Sequence, residues 1–341
     1  MATAAFSTPR SLMPGIAAAI LVSLVSVGGG AIEGRVFGRA IIEPLVLAIL
    51  IGMAIRTVIG SWSAGDPGIR FASKTILEIA VFLIGATMDV PRLFASGPTL
   101  AAAIVVLVCV GLSVGYAIGR AAGLSPKLAV LVACGNAICG NSAIAAVAPV
   151  IGAETEDVAA SIALTAVLGV AVVLGLPLLI APLSLSQYQY GVLAGLTVYA
   201  VPQVLAAAFA VSVLSGQVAT VVKLARVLML GPVVLFFALR SRRGHTGTTE
   251  KLSVTKLVPW FVLGFVALAA LRSLGIIGES AASTTKIIAG WLTIAAMAGL
   301  GLSVDVRSVR SVGARVLVAV AGSLVTLIVL AILLIKGLAL S

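Results

Sequence analysis

Charged residues are scarce in this chain. They make up 10% of the 341 residues, while 61% are hydrophobic and the mean hydropathy is +1.25. A soluble domain carries about 25% charged residues, so this scarcity excludes an ordinary soluble domain. At about 20 residues for each membrane-spanning helix, the length predicts a membrane protein with roughly ten to twelve spans.

Histidine and cysteine are scarce as well. The single histidine, His245, lies in the polar loop SRRGHTGTTEK, so no apolar segment contains one. Cys109, Cys134 and Cys139 all lie in apolar segments, which gives no sign of a disulfide framework. Two neighbouring thiols without a histidine fall short of a structural zinc site, and a cysteine nucleophile would need a base. We therefore expect no metal cofactor and no enzyme, and interpret the cysteines as small buried residues.

The charge that is present is mainly positive, with a net charge of +11. No aromatic residues interleave with the basic ones and no soluble region exists, so we expect no nucleic-acid partner. Basic residues favour the cytoplasmic loops of membrane proteins. Counted over the predicted loops, lysine and arginine favour a cytoplasmic N-terminus, a C-terminus outside and an odd number of spans.

Apolar segments separated by short loops predict an all-α polytopic membrane protein of about eleven transmembrane helices. The first segment can imitate a signal peptide, but the many later spans favour an uncleaved first helix. The eleven segments cover residues 12–32, 41–60, 71–89, 99–122, 127–150, 155–182, 187–214, 217–240, 257–274, 285–305 and 312–340.

The order of the segments predicts internal symmetry. PLVLAILIGMAI (44–55) aligns with YGVLAGLTVYAV (190–201). The alignment predicts an extra N-terminal helix (1–33) and two five-helix repeats, 34–183 and 184–341. Five is an odd number, so the second repeat would lie inverted, as in many secondary transporters. An alternative pairing sets GATMDVPRL against GLGLSVDVRSV, which share Asp89-Val90 and Asp305-Val306.

The stretch CGNAICGN (134–141) interrupts the fifth segment. Gly135 and Gly140 permit a break in the helix, while Asn136 and Asn141 can hydrogen-bond the freed backbone groups. Asn141 or Ser142 can cap the half-helix that follows, and the N-terminus of such a half-helix suits an anion.

The tenth segment has a similar pattern in Gly299, Gly301 and Ser303. We predict that segments five and ten are two discontinuous helices that cross near the membrane midplane. The alternative is that the small residues only allow close helix packing.

Ionisable residues inside a span are costly and indicate function. Lys223 and Arg226 share one helix face; they can attract an anion, pair with Glu78, or reach the nearer interface with their charged ends. Glu78 is the only acid well inside a segment and is a candidate proton carrier. Gln203, directly after Pro202, is a candidate hydrogen-bonding residue at a kink.

These motifs resemble the YeiH-type sulfate exporter family over about residues 12–340. Lys223 and Arg226 match the family's K-x-x-R, whereas Tyr199 stands where the family often has a histidine. The family motif C-G-x-x-A-I-C-G-x-S-A-I is matched by Cys134, Gly135, Ala137, Ile138, Cys139, Gly140, Ser142, Ala143 and Ile144.

The resemblance implies a bacterial inner-membrane protein related to the sodium/proton antiporter and bile-acid symporter folds. In those folds a panel domain dimerises or anchors, and a core domain with two crossing broken helices moves. A homodimer is therefore expected by analogy. The resemblance also implies a small inorganic or organic anion as the partner, namely sulfate, sulfite or an organosulfonate.

We therefore predict a secondary transporter of such an anion that works by alternating access. Its coupling to sodium or to protons stays open. The alternatives are a cation/proton antiporter-like exchanger, disfavoured because CGNAICGNSA contains no acid, and a passive anion channel. Lys223, Arg226 and Glu78 are predicted for electrostatics or coupling. The predicted substrate-binding residues are Gly135, Asn136, Cys139, Gly140, Asn141, Ser142, Gln203, Gly299, Gly301 and Ser303.

Overall fold

The computed structural model describes residues 9–37, 43–87, 97–242, 260–307 and 313–338, and the regular structure of this part is entirely helical. Each of the eleven predicted segments contains helix there. His245 and Asp89-Val90 lie outside the described residues. The helices are α1 (Pro9–Phe37), α2 (Pro44–Ile59), α3 (Asp66–Phe71), α4 (Leu77–Ile84), α5 (Gly97–Ala121), α6 (Pro126–Cys134), α7 (Asn141–Ile151), α8 (Thr155–Gly175), α9 (Ile180–Leu183), α10 (Gln187–Thr197), α11 (Val201–Phe209), α12 (Val213–Leu228), α13 (Leu230–Arg242), α14 (Trp260–Ser273), α15 (Glu279–Ser303) and α16 (Ala314–Gly337).

Six helical stretches among the described residues are long and apolar enough to cross a membrane. A membrane protein is therefore supported, whereas eleven full spans are not. The six stretches are Ser11–Ile32, Gly97–Ala121, Thr155–Leu183, Val213–Arg240, Glu279–Ser303 and Ala314–Gly337.

The chain forms two compact units. Unit 1 consists of Met1–Val90 and Phe261–Arg307, and unit 2 of Pro91–Trp260 and Ser308–Ser341. Each unit therefore takes helices from both predicted repeats, 34–183 and 184–341. The repeats themselves, and the assignment of panel and core, stay predictions.

Within unit 1, α15 runs without interruption from Glu279 to Ser303. The predicted break in segment ten is therefore wrong. Gly301 is buried and helical, and a Cβ atom there would overlap the carbonyl oxygen of Ile49 in α2. A Cβ atom at Gly299 would lie 2.8 Å from that of Ala72. These glycines allow close packing of helices, which is the role that small residues commonly have in membranes.

Unit 2 contains two helix–turn–helix hairpins between longer helices. Hairpin 1 consists of α6, a π-helical turn (Gly135–Cys139) and α7. Nζ of Lys127 at its start donates to the carbonyl oxygen of Gly152 just after its end, at 2.6 Å. A straight helix would separate two residues 25 apart in sequence by about 38 Å. Segment five therefore returns to the end of unit 2 at which it entered.

Hairpin 2 consists of α10, a short extended link and α11. The hydroxyl of Tyr190 donates to the carbonyl oxygen of Ala207 at 3.0 Å, although a straight helix would separate these residues by about 25 Å. The Ser215 hydroxyl, in the first turn of α12, donates to the carbonyl oxygen of Gln187 at 2.8 Å. Both ends of hairpin 2 and the start of α12 therefore lie together.

The hairpins enter unit 2 from opposite ends. Helices α12 and α13 run from the base of hairpin 2 to a groove of about 750 Å³, which Arg240 lines together with Pro126 and Ile151 from the base of hairpin 1. We call the end of unit 2 with Ala121, Pro126 and Ile151 end A. The end with Leu183, Gln187 and Phe209 is end B.

This topology corrects the predicted crossing. The two interrupted segments are five and seven, not five and ten, and each is a re-entrant hairpin rather than a broken span. Hairpin 1 and the span α8 after it run opposite to hairpin 2 and the span α12–α13 after it. Segments five and seven are thus removed from the eleven predicted spans, and the predicted number of spans stays odd.

Candidate functional site

The tips of the two hairpins meet inside unit 2. Gly140 forms the tip of hairpin 1 with φ +67° and ψ −125°, a conformation that residues with a Cβ atom rarely adopt. A Cβ atom on Gly140 would lie 3.3 Å from the Cβ atom of Tyr199, at the tip of hairpin 2. Gly140 therefore both turns the chain and lets the second tip approach.

Polar groups hold the tip of hairpin 1. The amide of Gly140 donates to the carbonyl oxygen of Gly135 at 2.8 Å and closes the π turn. The amide nitrogen of Asn136 donates to the carbonyl oxygen of Val320 at 2.9 Å and to the hydroxyl of Ser323, both in α16. Thr165 of α8 donates to the side-chain oxygen of Asn141 at 2.8 Å. The asparagines thus fix the tip to two flanking spans.

The tip of hairpin 2 uses no glycine. Val198 and Ala200 are extended, and Pro202 stands in the first turn of α11, where its missing N–H costs nothing. The side chain of Gln203 accepts from the Ala200 amide at 3.2 Å and donates to the carbonyl oxygen of Ala166 at 3.3 Å. Gln203 is thus a backbone cap at the turn, in line with its predicted hydrogen-bonding role.

Two cations of α12 join the tips. Nζ of Lys223 donates to Ile138 of hairpin 1 at 2.7 Å and to Val198 of hairpin 2 at 2.9 Å, in both cases to the carbonyl oxygen. The first arm of each hairpin is the helix that leads into its tip, which is α6 in hairpin 1 and α10 in hairpin 2. Lys223 therefore bridges the carbonyl ends of both first arms, where the helix dipole favours positive charge.

Arg226 repeats the arrangement of Lys223. It donates to the carbonyl oxygens of Asn136 in hairpin 1, at 3.1 Å, and Gly195 in hairpin 2, at 3.0 Å. Both side chains are 0% exposed. Snorkelling to an interface is therefore excluded, and the bonds of both cations run to backbone carbonyls of the two hairpins.

The sequence of unit 2 places no acid at the tips. Its acidic residues are Glu154, Glu156, Asp157 and Glu250, and the first three stand at the start of α8 at end A. Glu250 lies outside the described residues. Two buried positive charges thus lie beside the N-termini of α7 and α11 without a nearby carboxylate in the described part of unit 2.

Unpaired donors remain near these charges. The first-turn N–H groups of a helix have no acceptor within the helix, which applies to Asn141 and Ser142 in α7 and to Val201 in α11. Nε of Arg226 and the hydroxyl of Tyr199 are buried and have no hydrogen-bond partner among the described residues. Such donors are costly to leave unpaired, and an anion can accept from them.

The structure brings most of the predicted site residues together in unit 2. Glu78, Gly299, Gly301 and Ser303 belong to unit 1, and the hydroxyl of Ser303 donates to the carbonyl oxygen of Leu300 at 2.6 Å. Substrate binding by the assembled residues stays a prediction. They are Gly135, Asn136, Cys139, Gly140, Asn141, Ser142, Gln203, Lys223 and Arg226.

Three contributors were missed by the sequence-based prediction. Tyr199 forms the second tip, Thr165 anchors Asn141, and Ser323 anchors Asn136. The available signal for Tyr199 was Pro202, which marks the first turn of a helix. Hydroxyl residues in apolar helices carry no comparable signal, because most of them bond to their own backbone.

Two re-entrant hairpins within apolar spans define a polytopic membrane protein with a polar, positively charged centre. Residues 14–320 match the family model described as Conserved hypothetical protein 698. The chain belongs to this family, and the predicted YeiH-type membership is confirmed.

The relatives extend over nearly the whole chain. The UPF0324 membrane protein of Brucella suis is 50% identical over 322 residues, covering 94% of this chain and 95% of the relative. That of Bradyrhizobium diazoefficiens is 48% identical, covering 97% and 94%. That of Bacillus cereus is 38% identical, covering 82% and 79%. No solved structure matches the chain.

Proposed function

We propose that this protein is a secondary transporter of a small anion and that the anion binds where the two hairpin tips meet. The observation that carries the proposal is the pair of fully buried cations, Lys223 and Arg226, beside two half-helix N-termini and without a nearby acid in the described part of unit 2. A buried charge is costly unless it is compensated. A bound anion supplies the compensating charge.

The topology supports transport rather than a purely structural role. Non-helical backbone at membrane depth is tolerated where it is buried in protein or lines a cavity, and substrate sites of transporters use discontinuous helices whose N-termini point at anionic groups. Hairpin 1 enters from end A and hairpin 2 from end B, so one hairpin separates the site from each side of the membrane. Alternating access then requires opening one barrier at a time.

Sulfate, sulfite and an organosulfonate are the proposed substrates, since their oxygens accept hydrogen bonds from backbone N–H groups and from Arg226. The lack of acids at the tips disfavours a cation/proton exchanger. The location is proposed to be a bacterial inner membrane. End A carries Arg120, Lys127, Arg240 and Arg315, so the positive-inside rule makes it the cytoplasmic end.

Anion exchange in proteoliposomes tests this proposal. Vesicles loaded with sulfate, sulfite or the zwitterionic sulfonate taurine should take up the labelled form of the same compound, and Asn141→Leu should reduce this exchange at least about tenfold. The physical reason is that leucine removes the bond from Thr165 that positions the N-terminus of α7. Uptake is measured at equal pH and equal sodium on both sides.

A matched control separates loss of function from loss of fold. Lys127→Met removes an exposed cation at the base of the same hairpin and should keep exchange within about twofold, because exposed charge contacts contribute little. Both variants should elute as single species in detergent. The proposal would be contradicted if the wild-type protein exchanged none of the three compounds. It would also be contradicted if a folded Asn141→Leu variant exchanged them as fast as the wild type.

A further inference from the structure

The charge balance at the hairpin tips bears on how transport is coupled, and this inference rests on the proposed function. Each first arm brings about half a negative charge to its tip through its carbonyl end, and each second arm about half a positive charge through its N-terminus. These contributions cancel. Lys223 and Arg226 therefore stay uncompensated when the site is empty, at a position where both are fully buried.

Only one of the two cations can lose its charge readily. An arginine guanidinium stays protonated in proteins, whereas a buried lysine amine releases its proton. Lys223 is fully buried and lies on the same face of α12 as the guanidinium of Arg226, so loss of its proton removes one of two neighbouring positive charges. Lys223 is thus the group that can lower the charge of the empty site.

The hydrogen bonds of Lys223 permit this loss. An ammonium group has three N–H donors, and the bonds to Ile138 and Val198 use two of them. A neutral amine keeps two N–H groups, so both tips remain tied to α12 after the third proton leaves. The lone pair takes the place of that proton.

Few titratable groups face this amine. Cys139 of hairpin 1 and Arg226 of α12 interact electrostatically with Lys223, and Tyr199 of hairpin 2 interacts with Arg226. A protonated thiol and a protonated phenol are both neutral. The described parts of α5, α8 and α16 carry their charged residues near their ends, at Arg120, Glu156, Asp157, Arg315 and Lys336.

We propose that Lys223 carries the coupling proton, so that one proton and the anion bind together and move in the same direction. The neutral amine takes a proton from the compartment to which the tips are open and becomes an ammonium as the anion arrives. It returns the proton on the other side as the anion leaves. No other bond is made or broken.

Labelled sulfate in proteoliposomes tests the inference, with the membrane potential clamped by potassium and valinomycin. Sulfate keeps its charge across the neutral and mildly acidic range, so a pH effect belongs to the protein. With the outside about one pH unit more acidic, coupling to one proton allows up to about tenfold accumulation. A pH dye inside the vesicles should show acidification that depends on sulfate.

Lys223→Arg keeps a permanent positive charge and should lose accumulation driven by the pH gradient, because a guanidinium does not release its proton. Any sulfate exchange that remains at equal pH should not change with pH. Lys127→Met, which removes an exposed cation of unit 2 away from the hairpin tips, is the matched control and should keep both exchange and pH-driven accumulation. The dye measurement on wild-type protein needs no variant and covers the case in which Lys223→Arg does not fold.

The outcomes separate the two proposals. Three outcomes would overturn the role of Lys223 and leave anion transport intact: wild-type exchange without pH-driven accumulation, accumulation that persists in Lys223→Arg, or pH-driven accumulation lost in Lys127→Met. Absence of exchange for sulfate, sulfite and taurine would overturn both. Accumulation confined to a sodium gradient would also contradict the inference.

Discussion

Two glycine-containing stretches of this chain look alike in sequence and differ in structure. In unit 2, Gly135 and Gly140 flank a π turn, and Gly140 takes a positive φ at the tip of a hairpin. In unit 1, Gly299 and Gly301 lie inside the uninterrupted helix α15 and face the backbone of neighbouring helices. One pair reverses the chain, and the other lets two helices touch.

The neighbours of the glycines account for the difference. Asn136 and Asn141 lie beside the first pair, and their side chains bond to α16 and α8. Around Gly299 and Gly301 the sequence is apolar up to Ser303, and the hydroxyl of Ser303 bonds to the carbonyl oxygen of Leu300 in its own helix. A glycine in a membrane segment therefore indicates a break only where polar side chains can replace the lost helical bonds.

The largest expected effect is on the packed glycines. Gly301→Val should destabilise the protein by about 2 kcal/mol or more, because the new side chain overlaps the carbonyl oxygen of Ile49. The midpoint of thermal unfolding in detergent measures this loss. Gly290 lies in the same helix, and nothing lies within 4 Å of a Cβ atom added there. Gly290→Ala should therefore increase the free energy of unfolding by at most about 1 kcal/mol. Equal midpoints for the two variants would mean that α15 does not pack as described.

A smaller effect on stability is expected at the hairpin tip. Gly140→Ala should cost about 1–3 kcal/mol through backbone strain, since its φ of +67° is unfavourable for alanine. The added Cβ meets Tyr199 only at 3.3 Å. Anion exchange should nevertheless fall at least about tenfold, because the strain shifts the N-terminus of α7. Measuring exchange and thermal midpoint on one preparation separates the two effects, and undiminished exchange would argue against a functional tip.

Much of this arrangement could be predicted from sequence. Glycine with asparagine located the interruption at residues 134–141, and the spacing of Lys223 and Arg226 placed them on one helix face. The return of segment five could not be predicted, because 24 apolar residues fit a span as well as two short arms. The choice becomes visible only in the structure, where Lys127 lies within hydrogen-bonding distance of Gly152.

The second tip was harder to predict than the first. Val198 to Ala200 carry no glycine, and only Pro202 and Gln203 mark the new helix. The pairing of segment ten with segment five rested on the order of the two predicted repeats and on Gly299, Gly301 and Ser303. Small residues of this kind also serve close packing in membrane helices. The partner of a broken segment therefore could not be identified from composition.

The measurement that tests the central claim most directly is the sidedness of single cysteines around the hairpins. In a background without Cys109, Cys134 and Cys139, Ala121→Cys and Glu154→Cys flank hairpin 1. Gln187→Cys and Val213→Cys flank hairpin 2. All four positions are exposed in the structure.

An impermeant maleimide applied to intact cells and to inside-out vesicles should label each pair from one side and the two pairs from opposite sides. Labelling of Ala121→Cys and Glu154→Cys from opposite sides would show that segment five crosses the membrane. That result would contradict the re-entrant hairpins and the site built on them.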